Sequence, residues 1–231
     1  MDKAVLFDFG GTLDTNGVHW SVKFLEIYKE LGLQFSPEQY NYAYVKADEE
    51  LKQRVNVIND YETLLRKQVK LQLEFMKPYG YDSEKKLDEL GETVLNKIMI
   101  DIIPCIEESR NILAILKKQY RLGVVSNFYG NLEKICKNIG FTKYLDVMID
   151  SEIVGIEKPH PGIFSIALER LGVKPENTFV IGDSYERDII PSKILGCKTI
   201  WLKNKSFKES NNADSADYTV NNLGVILRYL T

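Results

Sequence analysis

The sequence predicts an α/β fold in which a buried parallel sheet, covered by helices on both faces, is interrupted once by a helical insertion. Short apolar runs ending at glycine or polar turns alternate with helical periodicities at the start of the chain and through its second half. Between about Val18 and Ile100 the pattern changes to successive helical periodicities with no strand among them. The apolar runs are continuous rather than alternating, as expected of strands covered on both faces.

Lys3 to Phe9 (KAVLFDF) reads as the first strand, stopped by Gly10, Gly11 and Thr12. Val22–Leu31, Pro37–Lys52, Tyr61–Met76 and Glu84–Ile98 follow as helices, with starts signalled at Ser36-Pro37 and Asp82-Ser83. Asp14 to Gly17 and Asp101 to Pro104 are the expected hinges out of and back into the sheet. Helical periodicity returns over Ser109–Gln119, Asn131–Ile139 and Gly162–Leu171, and again from Pro191. Strands are predicted at Arg121–Ser126, Tyr144–Asp150, Thr178–Ile181 and Lys198–Leu202. Asn204 to Tyr218 is polar and reads as a surface loop before a last short strand and helix. The resulting division is a sheet domain from residues 1–15 and 101–231 with a helical domain from residues 16–100.

At 231 residues the chain has room for one domain and an insertion. Its 44% hydrophobic and 27% charged content is that of a soluble globular protein, and a net charge of -3 gives no general pull toward nucleic acid or membrane. No apolar run spans a bilayer and no signal-peptide cleavage pattern follows the first strand. Cys105, Cys136 and Cys197 are far apart with no C-x-x-C pair, so packing roles in a reducing cytoplasm are expected rather than disulfides. A monomer and a homodimer both fit.

Ligands of an open parallel sheet bind beyond the carboxyl ends of its strands. Asp8 ends the first strand in DFGGTLD, and Ser126-Asn127 ends GVVSN. Lys158 follows a strand and a glycine turn in GIEKPHPGIF. Asp183 ends FVIGDS, with Asp188 five residues on. Singly, each has an ordinary reading as a turn residue, helix cap or loop lysine. Together, they place carboxylates, a hydroxyl and an ammonium around one crevice. Clustered carboxylates resist ionising together unless a cation joins them, and magnesium takes two or three carboxylates with a substrate phosphate. Lysine and hydroxyl groups supply charge and hydrogen bonds to phosphate oxygens. Asp8 is then placed to attack phosphorus.

These motifs resemble those of the haloacid dehalogenase-like hydrolase superfamily. DFGGTLD resembles its first motif, Ser126 its second, Lys158 in KPHPGIF its third and GDSYERD its fourth. The resemblance implies a Rossmann-like core with a helical cap. It implies Asp8 as nucleophile, Lys158 as its catalytic partner, and phosphate contacts from Ser126, Asn127, Gly11 and Lys158. The implied magnesium ligands are Asp8, the backbone carbonyl of Gly10, Asp183 and Asp188, and the implied substrate is a small phosphorylated metabolite.

One position departs from the family pattern. Its phosphatases usually carry a second aspartate, the general acid and base, where this chain has Gly10. Three substitutes are open: a good leaving group, an acid from the cap (its tyrosines, its glutamates or His19), or slow turnover in a phosphate-binding protein. Two other chemistries also fit a small residue at position 10. Dehalogenation uses a cap arginine, and no arginine precedes Arg54 here; phosphonate cleavage uses a cap lysine, for which Lys46 and Lys52 are available. Trp20 and the Tyr40, Tyr42 and Tyr44 cluster read as a helix interface, with the substrate side of the cap as the alternative. His160 reads as a loop residue and Lys117-Lys118 as a helix end.

Overall fold

The computed structural model describes residues 1–54, 58–79, 84–205 and 216–230. The strands β1 (Ala4–Phe7), β2 (Arg121–Ser126), β3 (Val147–Asp150), β4 (Thr178–Gly182), β5 (Lys198–Leu202) and β6 (Tyr218–Val220) form one sheet. Every pairing is parallel, in the order β3-β2-β1-β4-β5-β6. This is the Rossmann-type order, in which the sheet reverses direction of growth beside its first strand. β3 begins three residues later than the sequence predicts. The Asp146 carboxylate accepts the Leu122 amide, so a side chain takes the bond a strand residue would make.

Successive side chains of a strand face opposite ways, and β1 shows what that does here. Val5 and Phe7 join one core cluster, while Ala4 and Leu6 join a second with Ile163, Phe164, Ala167 and Leu171 of α7 (Gly162–Leu171). All four residues of β1 are fully buried, which is why the strand is apolar throughout.

The insertion holds α1 (Trp20–Glu30), α2 (Pro37–Arg54) and α3 (Tyr61–Met76), and leads into α4 (Glu84–Leu116). The Asp82-Ser83 helix start lies outside the described residues. The break predicted at Asp101–Pro104 does not occur: α4 is one helix containing Pro104. Ile98, Ile102, Ile106, Ser109, Leu113 and Leu116 are buried in an unbroken run three or four residues apart, so the packed face continues across the proline. A boundary at residue 101 therefore passes through a continuous helix. α4 also reaches the loop after β1, where Ser109 Oγ donates to the Leu13 carbonyl at 2.6 Å.

The remaining helices are α5 (Leu132–Asn138), α6 (Ser151–Val154), α8 (Ile190–Ile194) and α9 (Leu227–Leu230). α6 was not predicted. It separates β3 from Lys158, so that lysine stands one short helix beyond its strand rather than at its end. Among the described residues, no helix is long and apolar enough to cross a membrane.

Candidate active site

Three strand ends meet at one point. Phe7 is in register with both Val124 and Ile181, and the Asp8 amide continues the ladder by donating to the Ile181 carbonyl at 2.9 Å. Asp8, Ser126 and Asp183 thus leave neighbouring strands at similar heights. Asp8, Asp183 and Asp188 are all buried and offer ligand oxygens within 4.8 Å of one another.

Lys158 is 4% exposed and bridges two of these carboxylates, with Nζ 2.5 Å from Asp8 Oδ1 and 2.7 Å from Asp188 Oδ1. Thr12 Oγ1 donates toward Asp8 Oδ2 at 3.3 Å, with Asp183 Oδ1 at 3.4 Å, and accepts the Asp183 amide at 3.0 Å. Asp188 Oδ2 accepts the Ser184 amide at 3.0 Å.

Two glycines permit this convergence. Gly11 has φ of 100°, a left-handed conformation, and a side chain there would meet the Asp183 carboxylate within 2.5 Å. A side chain at Gly182 would strike Asp188 at 2.2 Å. Gly11 and Asn127, both expected at phosphate, also make contacts within the protein. The Gly11 amide donates to Asp14 Oδ1 at 2.8 Å and its carbonyl accepts from Gly17. Asn127 clamps the Lys158 backbone, with Nδ2 on its carbonyl at 2.9 Å and Oδ1 on its amide at 2.7 Å. Its side chain positions the lysine, and the residue also lines the cavity. Ser126 keeps a buried hydroxyl lining the cavity.

The electrostatics follow from burying three carboxylates with one ammonium. Burial first, then Asp8 and Asp188, hold the Asp183 carboxyl well above the usual carboxylate range. Burial pushes Asp188 up to about 6 against the pull of Lys158. Burial opposes the Lys158 charge, but Asp188 and Asp8 outweigh it and keep the ammonium protonated. The donor set suits a hard divalent cation: three carboxylates close enough to share one ion, with one lysine against them.

The site opens into a cavity of about 470 Å³ between the strand ends and the inserted helices. Position 10 lies on its wall. A side-chain carbon at Gly10 would sit 3.5 Å from Trp20 Cδ1, 3.7 Å from Trp20 Nε1 and 4.0 Å from Asp14 Oδ2. These are ordinary van der Waals distances, so a side chain at residue 10 would pack beside Trp20 and Asp14 and face the cavity. Asp14, which the sequence reading places only in a hinge, is fully buried and accepts from Trp20 Nε1 at 2.8 Å and from the Tyr61 hydroxyl at 2.5 Å. Burial raises its carboxyl to about 6 despite these donors. Asp14 thereby ties the loop after β1 to both α1 and α3. Its place inside the first motif is the one sequence signal that could have marked it.

The aromatic cluster divides. Tyr40 is buried with its hydroxyl on the Ser21 carbonyl, Tyr42 is exposed, and Trp20 and Tyr44 reach the cavity. Lys46 pairs with Glu49, Lys52 reaches the cavity edge, and His160 is an exposed loop residue that accepts the Gly162 amide.

Residues 3–196 match the haloacid dehalogenase-like hydrolase family, and the chain belongs to it. Among its relatives is a glyceraldehyde 3-phosphate phosphatase of Methanocaldococcus jannaschii, 30% identical over 64% of this chain and 72% of that one. The enzyme of that name from Methanothermobacter thermautotrophicus is 29% identical over 89% and 87%. A magnesium-bound hydrolase of the family, YfnB of Bacillus subtilis, has the same fold with a TM-score of 0.61 at 18% identity, covering 99% of this chain and 98% of that one. A solved dehalogenase also shares the fold, with a TM-score of 0.64 at 18% identity over 99% and 96% of the two chains.

Raised carboxylate pKa values stabilise the fold below the unfolded value near 4 and lose that contribution as pH rises through the folded values. In chelator, the melting temperature should fall between about pH 5 and pH 7.5, and magnesium should restore most of the loss at the upper end. A second prediction concerns position 10. Because a side chain at residue 10 would meet Trp20 and Asp14 only at ordinary contact distance, Gly10→Asp should raise turnover on poor leaving groups roughly 10- to 100-fold more than on good ones. A uniform fall in rate on all leaving groups would instead show that residue 10 needs glycine for substrate room.

Proposed function

We propose that this hydrolase is a magnesium-dependent phosphatase of a small phosphorylated metabolite, acting through an aspartyl-phosphate on Asp8. The observation that carries the reading is the placing of Asp8. Its carboxylate lies at the carboxyl end of β1 on the cavity wall, paired with buried Lys158 at 2.5 Å and beside two further carboxylates. Its family relatives named as phosphatases support the substrate class.

In this reading an Asp8 oxygen attacks phosphorus. The new O–P bond forms as the bond to the leaving oxygen breaks, and that oxygen keeps the bonding electrons. Water then attacks phosphorus, loses its proton to solvent and releases phosphate, which regenerates the Asp8 carboxylate. Lys158 holds Asp8 and Asp188 in place and balances their charge, while Ser126 supplies a hydroxyl to a phosphate oxygen. A magnesium ion held by Asp8, Asp183, Asp188 and the Gly10 carbonyl would neutralise charge on the transferring phosphoryl group.

Without a carboxyl at residue 10, the leaving oxygen lacks its usual proton donor. General acid catalysis is worth roughly 10²- to 10⁴-fold, or about 3–5 kcal/mol. Rates should therefore rise steeply as the leaving group becomes less basic, with acyl phosphates and p-nitrophenyl phosphate ahead of alkyl esters.

A panel of phosphate esters and acyl phosphates, assayed with magnesium and with chelator, tests the reading. Turnover should require magnesium and follow leaving-group acidity, and Asp8→Asn should reduce kcat roughly 10⁴-fold or more. Halide release from haloacids in chelator, or near-normal activity of Asp8→Asn, would overturn it.

A further inference from the structure

The inner face of α3 carries one residue out of keeping with its neighbours. Tyr61, Leu64, Leu65 and Gln68 all line the cavity, following the three- and four-residue spacing of one helix face. An apolar side chain would complete this stripe. Gln68 instead places an amide there, only 6% exposed and with no hydrogen-bond partner among the described residues. Gln72, one turn on, is not on the cavity wall; its Oε1 accepts from the Tyr28 hydroxyl while its Nε2 is buried without a partner. An amide on the cavity wall keeps two donors and an acceptor available to whatever enters.

Tyr44 faces the same space from α2. Its ring packs against Phe24 and Tyr40, and its hydroxyl also has no hydrogen-bond partner among the described residues. The hydroxyl stays protonated because burial, then Asp48, work against the phenolate. His19 lines the same wall. Its Nδ1 accepts the Ser21 amide, and burial lowers its pKa, so it presents a neutral ring.

The charges around these groups bear on what they can bind. Beyond the catalytic residues, Asp48, Glu49 and Glu157 line the cavity against Lys52 and Arg187. Asp48 is turned toward Tyr129, whose hydroxyl donates to it at 2.5 Å. Glu49 is paired with Lys46, so Asp48 and Glu157 balance Lys52 and Arg187, and the wall has no net positive charge to attract a second anionic group. Neutral hydroxyls or carbonyls, which both donate to and accept from an amide and a phenol, match the open groups.

We infer that Gln68 and Tyr44 are the specificity-determining residues of the cap, and that they recognise a neutral, hydroxyl-bearing tail such as that of a small sugar or polyol phosphate. The assignment rests on the phosphatase reading for the other end of the substrate. Hydrogen bonds to buried polar groups discriminate strongly, because an analogue that cannot make them leaves the site's groups unpaired.

The test compares the full-length, magnesium-loaded protein with Gln68→Leu and Tyr44→Phe on four substrates: an aldose 1-phosphate, glycerol 3-phosphate, phosphoglycolate and p-nitrophenyl phosphate. Wild type should prefer the hydroxylated esters to phosphoglycolate. Each variant should lower the ratio of kcat/KM for a hydroxylated ester to that for p-nitrophenyl phosphate by roughly 10- to 100-fold, chiefly through KM. An unchanged ratio, or a wild-type preference for phosphoglycolate, overturns the inference. Gln68→Met repeats the measurement if the leucine variant fails to fold. If wild type hydrolyses no phosphate at all, the phosphatase reading fails separately. Recognition is then decided by thermal protection: a sugar phosphate should raise the melting temperature beyond inorganic phosphate in wild type but not in Gln68→Met, and equal protection overturns it.

Discussion

Three buried carboxylates facing one buried ammonium set the terms for the rest of this structure. Lys158 is within 2.7 Å of both Asp8 and Asp188, which leaves Asp183 without a lysine of its own. Burying unbalanced charge is unfavourable unless protons or a cation make up the difference. The fold accepts this arrangement and reinforces it. Parallel strands in matched register bring the three carboxylates together, glycines at 11 and 182 let them approach, and Asn127 fixes the backbone of the lysine between them. Each device serves a function that a merely stable core would not need.

The gap at Gly10 is more than a missing side chain. Trp20 and Asp14 stand at van der Waals distance from where a side chain at residue 10 would begin, and Asp14 is bound on three sides by Gly11, Trp20 and Tyr61. The same carboxylate therefore shapes the loop after β1 and anchors two inserted helices to it. α4 adds a covalent tie, since it runs unbroken from the insertion to the sheet domain. The inserted helices and the loop after β1 are thus joined beside Gly10.

Much of this was legible in the sequence because it depends on local pattern. β1, β2, β4 and β5 were readable from continuous apolar runs, and α3 and α7 from their periodicity. The strand-end positions of Asp8, Ser126 and Asp183 followed from where those runs stop. What was not legible depends on direction and on distant partners. Asp101 to Pro104 read as a hinge because the helical periodicities on either side were taken separately, whereas the buried face that carries the helix past Pro104 is set by tertiary packing. Gly11 and Asn127 sit where phosphate contacts are expected, and only the fold shows that they also bond to Asp14 and Lys158. Asp14 and Gln68 gave no signal as single residues, since only the fold shows that one is saturated with donors and the other has none.

The central claim is that Asp8 becomes covalently phosphorylated, and acid-quench trapping tests it most directly. Wild-type protein, mixed with an acyl phosphate and magnesium and quenched within the first turnover, should yield a phosphorylated peptide containing Asp8. The label should disappear in chelator and on chase with unlabelled substrate. Product formation in a full burst of turnover, with no phosphoryl group found on Asp8 at any time, would contradict it.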